Sequence, residues 1–307
     1  MNGVILIDKP SGRTSYDMVE MVKRITGFKK VGHTGTLDPL ATGVLPVCIN
    51  EATKLVQFLI LNQKEYRASL LLGVETDTFD IEGRVIARHE PVVTECEIRN
   101  ALDSMVGKIE QQPPRYSAIK YKGKPMYKWA RAGFQFELPA RSVEIYGIQN
   151  INIDLPYVTF DVSCSKGTYI RSLCHDIGVK LGCPACLAGL RRTRSGHFYE
   201  HQAISITAWD VQEACDIMKN SLISMTKALP DIPAITLKQD LANKIKVGYQ
   251  PKLDELVTDP SNILWSPIVK LLTDPDHLLA IARLPDVQAE KDPNLHSGIK
   301  ILRVFNN

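Results

Sequence analysis

The chain has 307 residues, 44% of them hydrophobic and 23% charged, the balance of a globular protein with a sizeable core. At about 150 residues per domain that length leaves room for two domains, and 37 Lys and Arg against 34 Asp and Glu give a net charge of +3 that by itself points to no class of partner. No apolar run approaches the ~18 residues of a membrane helix, the start lacks a basic stretch, and seven scattered cysteines fit reduced thiols better than a disulfide framework, so membrane, secreted-scaffold and disordered classes are excluded and a cytoplasmic protein is expected.

In chain order, residues 3–7 read as a buried strand closed by a turn at 8–12. Met18, Met21, Val22 and Ile25 fall at helical spacing, with Ser15 as N-cap and Gly27 as the stop. Residues 29–42 have no periodicity and read as a long loop, the kind that is functional when it sits inside a compact domain. Residues 44–49 are a strand, Leu55, Phe58 and Leu59 mark a helix, and residues 66–74 and 84–88 are strands joined through 77–83. Thr94 and Glu97 form a capping box for a helix carrying Ile98, Leu102 and Val106 on one face. Pro125 and Gly133 bracket a short helix. Two long strands follow at 141–153 and 157–164, then a helix with Ile170, Leu173, Ile177 and Leu181 in a stripe, Thr168 as N-cap and Gly182 as C-cap. A helix at 209–219 closes the large domain, residues 1–229. Beyond the linker at 231–233, a helix at 236–247 and strands at 262–272, 278–284 and 299–305 make a small β-rich domain, 230–307. Hairpin-like turns separate strands as often as helices do, so the expected class is α+β, with a mixed, largely antiparallel central sheet flanked by helices.

Charge clusters in two places. Residues 115–131 hold six Lys or Arg, among them Lys120, Lys122, Lys124 and Arg131, with four aromatics and no acid. Residues 164–197 hold Lys166, Arg171, Lys180, Arg191, Arg192 and Arg194 against Asp176 alone. Cations neutralise phosphates and rings stack on bases, so two such clusters favour a nucleic acid over a plain solvated surface.

Cofactor and metal signatures are missing. No glycine-rich dinucleotide fingerprint or P-loop is complete, residues 77–83 place Phe79 and Ile81 where a calcium loop needs oxygens, and Cys183 and Cys186 lack a second pair at zinc spacing. What remains is G-H-T-G-T-L-D-P-L-A-T-G over residues 32–43, in which Asp38 is the only carboxylate between Glu20 and Glu51. An Asp before Pro forms turns; beside cations it can also serve as a nucleophile, and composition leaves both open.

That loop, extended to Pro46, resembles the signature of the bacterial tRNA pseudouridine synthase B family. Further segments follow in the family's order: G-V-I-L-I-D-K-P-S-G from Gly3, K-E-Y-R-A from Lys64, G-V-E-T-D-T-F-D-I-E-G from Gly73, the Q-x-P-P-x-x-S-A-x-K segment ending at Lys120, C-S-K-G-T-Y-I-R-S-L from Cys164, and L-x-x-L-R-R-T-R-S-G from Leu187. The resemblance implies the pseudouridine synthase fold with a PUA-like C-terminal domain. It also implies a cofactor-free, metal-free isomerase that flips out and converts uridine 55 of the TΨC stem-loop of tRNA. By position, Asp38 would be the catalytic aspartate, Arg171 the partner that keeps it charged, and Tyr66 the ring stacked on the uracil. His33 would fill the space of the flipped base, while Tyr169, Leu190 and Lys9 would line or support the pocket. The segment at about 115–140, with Lys120, Lys122, Lys124 and Arg131, would close over the RNA. A guide-RNA-dependent relative and a non-enzymatic RNA chaperone or binding module are the other readings; a monomer acting without guide RNA is expected.

Overall fold

The computed structural model describes residues 1–60, 63–117, 139–206, 211–256, 267–285 and 299–306, with residues 120–121, 124–126, 129 and 134 between them. The chain opens with β1 (Gly3–Lys9), α1 (Ser15–Thr26), β2 (Val31–His33) and β3 (Thr42–Ile49). A 3-10 turn at Asn50–Leu55 runs into α2 (Val56–Leu59), followed by β4 (Lys64–Leu72) and the hairpin β5 (Val74–Thr76) and β6 (Val85–Arg88). Next come α3 (Glu95–Asp103), β7 (Gly107–Gln111), and the two-residue strands β8 (Lys120–Tyr121) and β9 (Lys124–Pro125). The long pair β10 (Arg141–Asp154) and β11 (Tyr157–Cys164) leads to α4 (Ile170–Leu181) and β12 (Ala185–Ser195). The short strands β13 (Phe198–Tyr199), β14 (Ile204–Ser205) and β15 (Ile223–Ser224) flank α5 (Val211–Asn220).

Among the described residues one large sheet has the order β14-β1-β3-β12-β4-β11-β10-β7, with β2, β13 and β15 attached at its rim. Only β1–β14 and β3–β12 run parallel; the other pairs are antiparallel, so the mixed, largely antiparallel α+β sheet expected from the turn pattern is what forms. On β4, Lys64, Tyr66, Ala68, Leu70 and Leu72 alternate inward, and the period of two carries Glu65 and Arg67 to the opposite face. α4 packs on β12 and α3, burying Leu173 and Ile177 against Leu70, Phe160 and Leu187 in the main core.

A second sheet, β16 (Ala234–Thr236), β17 (Ile268–Asp274), β18 (His277–Arg283) and β19 (Lys300–Val304), with α6 (Gln239–Lys246), forms the expected small β-rich C-terminal unit. It shares a core with the large sheet: Leu272, Leu278, Ile281 and Phe305 pack with Val4, Leu6, Cys48 and Leu55. The buried Lys270 donates to the carbonyls of Thr226 (3.1 Å) and Leu229 (2.8 Å) across the same seam.

Several local readings are corrected. Thr14, not Ser15, caps α1, in a reciprocal box with Asp17, which frees the Ser15 hydroxyl for a contact described below. The 29–42 loop contains β2, too short to show a period. Tyr169 rather than Thr168 precedes α4, because the Thr168 hydroxyl donates to its own turn at the Ser165 carbonyl (2.9 Å). α3 ends at Asp103, before the turn at Gly107, and leaves Val106 outside it and exposed. Residue 236 ends β16 rather than starting a helix, since its backbone pairs with β17. Pro125 ends β9 instead of opening a helix; Met126 and Trp129 are helical, whereas the rest of the helix expected up to Gly133, with Arg131, lies outside the described residues, as does Lys122.

Candidate active site

Asp38 is delivered by a loop gripped almost wholly through its backbone. The Ser15 hydroxyl accepts from Leu37 N (2.8 Å) and reaches the Leu37 carbonyl (3.2 Å). The Pro39 carbonyl accepts from Gly12 N (2.9 Å) and from Lys9 Nζ (3.1 Å), and the Ser11 hydroxyl donates to the Leu40 carbonyl (3.2 Å). The D-K-P-S-G turn after β1 is thus the clamp for the catalytic-type loop. Gly43 follows because β3 must close on β12: it has φ +99°, and a Cβ there would lie 2.3 Å from the Arg192 carbonyl.

Arg171, the second residue of α4, is 4% exposed and sits between two carboxylates. Its Nη2 donates to Asp38 Oδ1 (3.1 Å), and its Nε lies 2.9 Å from Oδ2, off the hydrogen-bond line. On the other side Nη1 is 3.4 Å from Asp80 Oδ2, and the guanidinium also donates to the carbonyls of Thr78 (3.2 Å) and Tyr116 (3.0 Å). Gln111 holds the start of α4 from β7: its amide accepts from Tyr169 N (2.7 Å), satisfying an otherwise orphan donor, and donates to Tyr169 O (3.0 Å). Asp80 is fixed by Thr78 (2.7 Å) and Glu82 N (3.1 Å), and its loop is stitched to β12 through Leu187.

The Asp38 carboxylate, 32% exposed, opens into a cavity of about 360 Å³, large enough for a small ligand. Tyr66 and Leu190 from the sheet, Tyr169 just before α4 and Ile170 within it, and Lys64 and Arg192 line it. Burial pushes the Asp38 carboxyl above its ordinary range; Arg171 pulls it back and the like charge of Asp80 adds to the rise. Burial lifts the Tyr66 phenol to about 12 against the pull of Arg192. A groove of about 410 Å³ on the opposite face of β4 offers no such chemistry, because its Arg67 and Asp161 already pair with each other (2.9 Å).

Residues 23–170 match the profile described as TruB family pseudouridylate synthase (N terminal domain), and residues 171–232 that of the tRNA pseudouridylate synthase B C-terminal domain. The chain is 48% identical to tRNA pseudouridine synthase B of Syntrophus aciditrophicus, over 100% of its own length and 99% of the relative's. It belongs to the TruB family of pseudouridylate synthases. The same protein of Syntrophotalea carbinolica is 41% identical, with 100% and 99% covered. Among solved structures, a Cbf5-Nop10-Gar1 complex contains a chain that superposes with a TM-score of 0.74 at 29% identity, covering 99% of this chain and 85% of that one.

In this TruB-family chain the fold brings Asp38, Tyr66, Tyr169 and Leu190 to one cavity, with Arg171 buried against Asp38. His33 stands beside it on β2, half-buried, with Nδ1 accepting from Gly35 N (3.3 Å), and burial pushes its imidazole down towards the neutral form. Lys9 departs from the expected substrate contact. It is fully buried, and its ammonium is matched to the carbonyls of Pro10 (2.8 Å), Arg13 (2.6 Å) and Pro39 (3.1 Å), leaving no donor for a ligand. For Lys120 and Lys124 only the backbone, in β8 and β9, is described. The second basic cluster is also corrected as a phosphate surface: Arg191 pairs with Asp8 and Glu200, Arg194 with Glu65, and Arg171 and Arg192 are buried, which leaves Lys166 and Lys180 exposed.

Sequence reasoning missed Asp80 and Arg192. Asp80 was legible only as part of a turn, although it belongs to a dense run of acids. Arg192 was counted as one of six basic residues in the 164–197 cluster, because the strand β12 that turns it inward was not read from the sequence.

Proposed function

We propose that the chain converts uridine 55 in the TΨC arm of tRNA to pseudouridine, with Asp38 as the reacting carboxylate. The observation that carries this reading is the Asp38 carboxylate, held by Arg171 at the floor of a nucleoside-sized cavity and facing Tyr66. The names of the full-length relatives supply the substrate. The reaction exchanges the N1–C1′ bond for a C5–C1′ bond, takes the proton from C5 and leaves one on N1. Atoms and electrons therefore balance without a cofactor, metal or external energy.

A stacked loop uridine reaches such a cavity only by turning out of the helix, at a cost of a few kcal/mol. Tyr66 and Leu190 supply the flat and apolar walls for its ring, and Tyr169 supports the base beside Asp38. His33, on β2 just before the cavity-lining Thr34 and Gly35, fills the space the base leaves, and a neutral ring suits that stacking role. Tyr66, protonated at neutral pH, hands its own proton to the detached base and, as the phenolate so formed, takes the proton that leaves C5. The basic, aromatic segment 115–131 of the 1–229 catalytic part, including Lys120, Lys122, Lys124 and Arg131, and the separate 230–307 unit extend the RNA surface beyond the cavity. The reading includes a cytoplasmic monomer that needs no guide RNA.

Purified protein incubated with unmodified tRNA and no added guide tests this reading by mapping of pseudouridine. Asp38→Asn is expected to abolish product while tRNA affinity stays within a few-fold. Full activity in that variant, or product only with a guide RNA, overturns the reading.

A further inference from the structure

Arg192 is 1% exposed, and its surroundings are unusual for a cation. Nε donates to the Val44 carbonyl (2.8 Å), and Nη1 and Nη2 reach the Gly35 carbonyl (3.4 and 3.3 Å). Its guanidinium also lies beside the Tyr66 phenol: the two residues are paired across β4 and β12 and line the same cavity. Its strand neighbours show the contrast: Arg191 and Arg194 both meet carboxylates, whereas among the described residues no carboxylate reaches Arg192. Burying an uncompensated guanidinium is costly, and two carbonyls could be served by a neutral donor. The charge therefore has another use.

Of the titratable groups around it, His33, Lys64 and Lys9 are bases, which its field can only disfavour in their charged forms. Tyr66 is the one group that gains. It is the Cα partner of Arg192 in the β4–β12 ladder, so the two side chains leave the sheet on the same face, side by side. Asp38 and Cys164 are the other groups facing the phenol, and neither supplies positive charge.

We propose that Arg192 is the positioning residue for Tyr66: it occupies a lone pair of the phenolic oxygen, turns the hydroxyl proton into the cavity and stabilises negative charge that develops there. Gly35, on the Asp38 loop, and Val44, on β3, hold the guanidinium at its other end, so Arg192 ties the phenol to the loop that carries the carboxylate. The inference rests on the reading of the cavity as a uridine-isomerising site.

The test is a double-mutant cycle on single-turnover rates with tRNA: wild type, Arg192→Lys, Tyr66→Phe and the double variant. Arg192→Lys is expected to slow the wild type at least tenfold and the Tyr66→Phe protein less than twofold. An equal loss in both backgrounds overturns the inference, because Arg192 would then serve only to join the strands. Tyr66→Phe alone tests the underlying reading: full rate in that variant removes Tyr66 from the chemistry, whereas a slowed variant without coupling to Arg192 removes the inference only. Should Arg192→Lys fail to fold, as judged by circular dichroism, ¹⁵N-guanidinium-labelled arginine decides. The protected Arg192 Nη resonance should shift in Tyr66→Phe, and an unmoved resonance overturns the inference.

Discussion

Replacing Lys9 by methionine should erase a defined share of the protein's pH-dependent stability. Burial pushes the Lys9 ammonium down to about 8 from its ordinary 10.5. Between those values the unfolded chain holds a proton that the folded chain has released, so unfolding takes one up and stability rises with pH. With these two values the Lys9 contribution grows by about 2 kcal/mol between pH 7 and pH 9.5. Lys64, pushed down to about 8 by burial, adds a rise of the same sign. The buried thiols act the other way: Cys48 and Cys164 at about 12, Cys186 at about 11 and Cys174 further up keep protons that the unfolded chain loses above pH 9. These terms are common to both proteins and cancel in the difference. Urea unfolding of wild type and Lys9→Met at the two pH values should therefore show an increment smaller by about 2 kcal/mol in the variant. An equal increment in the two proteins would refute the reasoning.

Three further outcomes follow from the geometry. Ser15→Ala leaves Leu37 N without its partner and should cost about 1–3 kcal/mol in urea unfolding, with a matching loss of turnover as the Asp38 loop loosens. Asp80→Asn keeps the hydrogen-bonding shape but removes one of the two charges on Arg171; single-turnover rates should drop on the order of tenfold or more while tRNA binding is retained, and an unchanged rate would detach Asp80 from the site. Gly43→Ala meets the Arg192 carbonyl at 2.3 Å in a left-handed backbone, and a fall in thermal midpoint of several degrees, or insoluble protein, is expected in a melting assay.

The periods of two and 3.6 were enough to place the helices and the strands β1, β3, β4, β10 and β11 of the large sheet, since each buries one side of a regular element, whereas β7, the central β12 and the two- and three-residue strands went unread. Termini were less legible: Thr14 and Ser15 are both good caps, and only the tertiary contact to Leu37 decides which is used locally. The motif segments marked the site because each contributes a backbone or side chain to one cavity. What they concealed is division of labour. Lys9 reads as a pocket cation, yet its charge is consumed by three carbonyls; Arg191, Arg192 and Arg194 read as one patch, yet a strand and a bulge send them to different partners. Burial, which decides both cases, depends on contacts far apart in the chain.

The shared core between the two sheets has a mechanical meaning. Phe305 is wedged among residues of the large sheet, the Val304 carbonyl accepts from Lys54 (2.8 Å), and Asn306 N donates to Glu51 (3.0 Å). A swivel at residues 231–233 would have to tear these apart, so the two sheets act as the fixed jaws of one calliper. Heating should accordingly melt both jaws in one cooperative step.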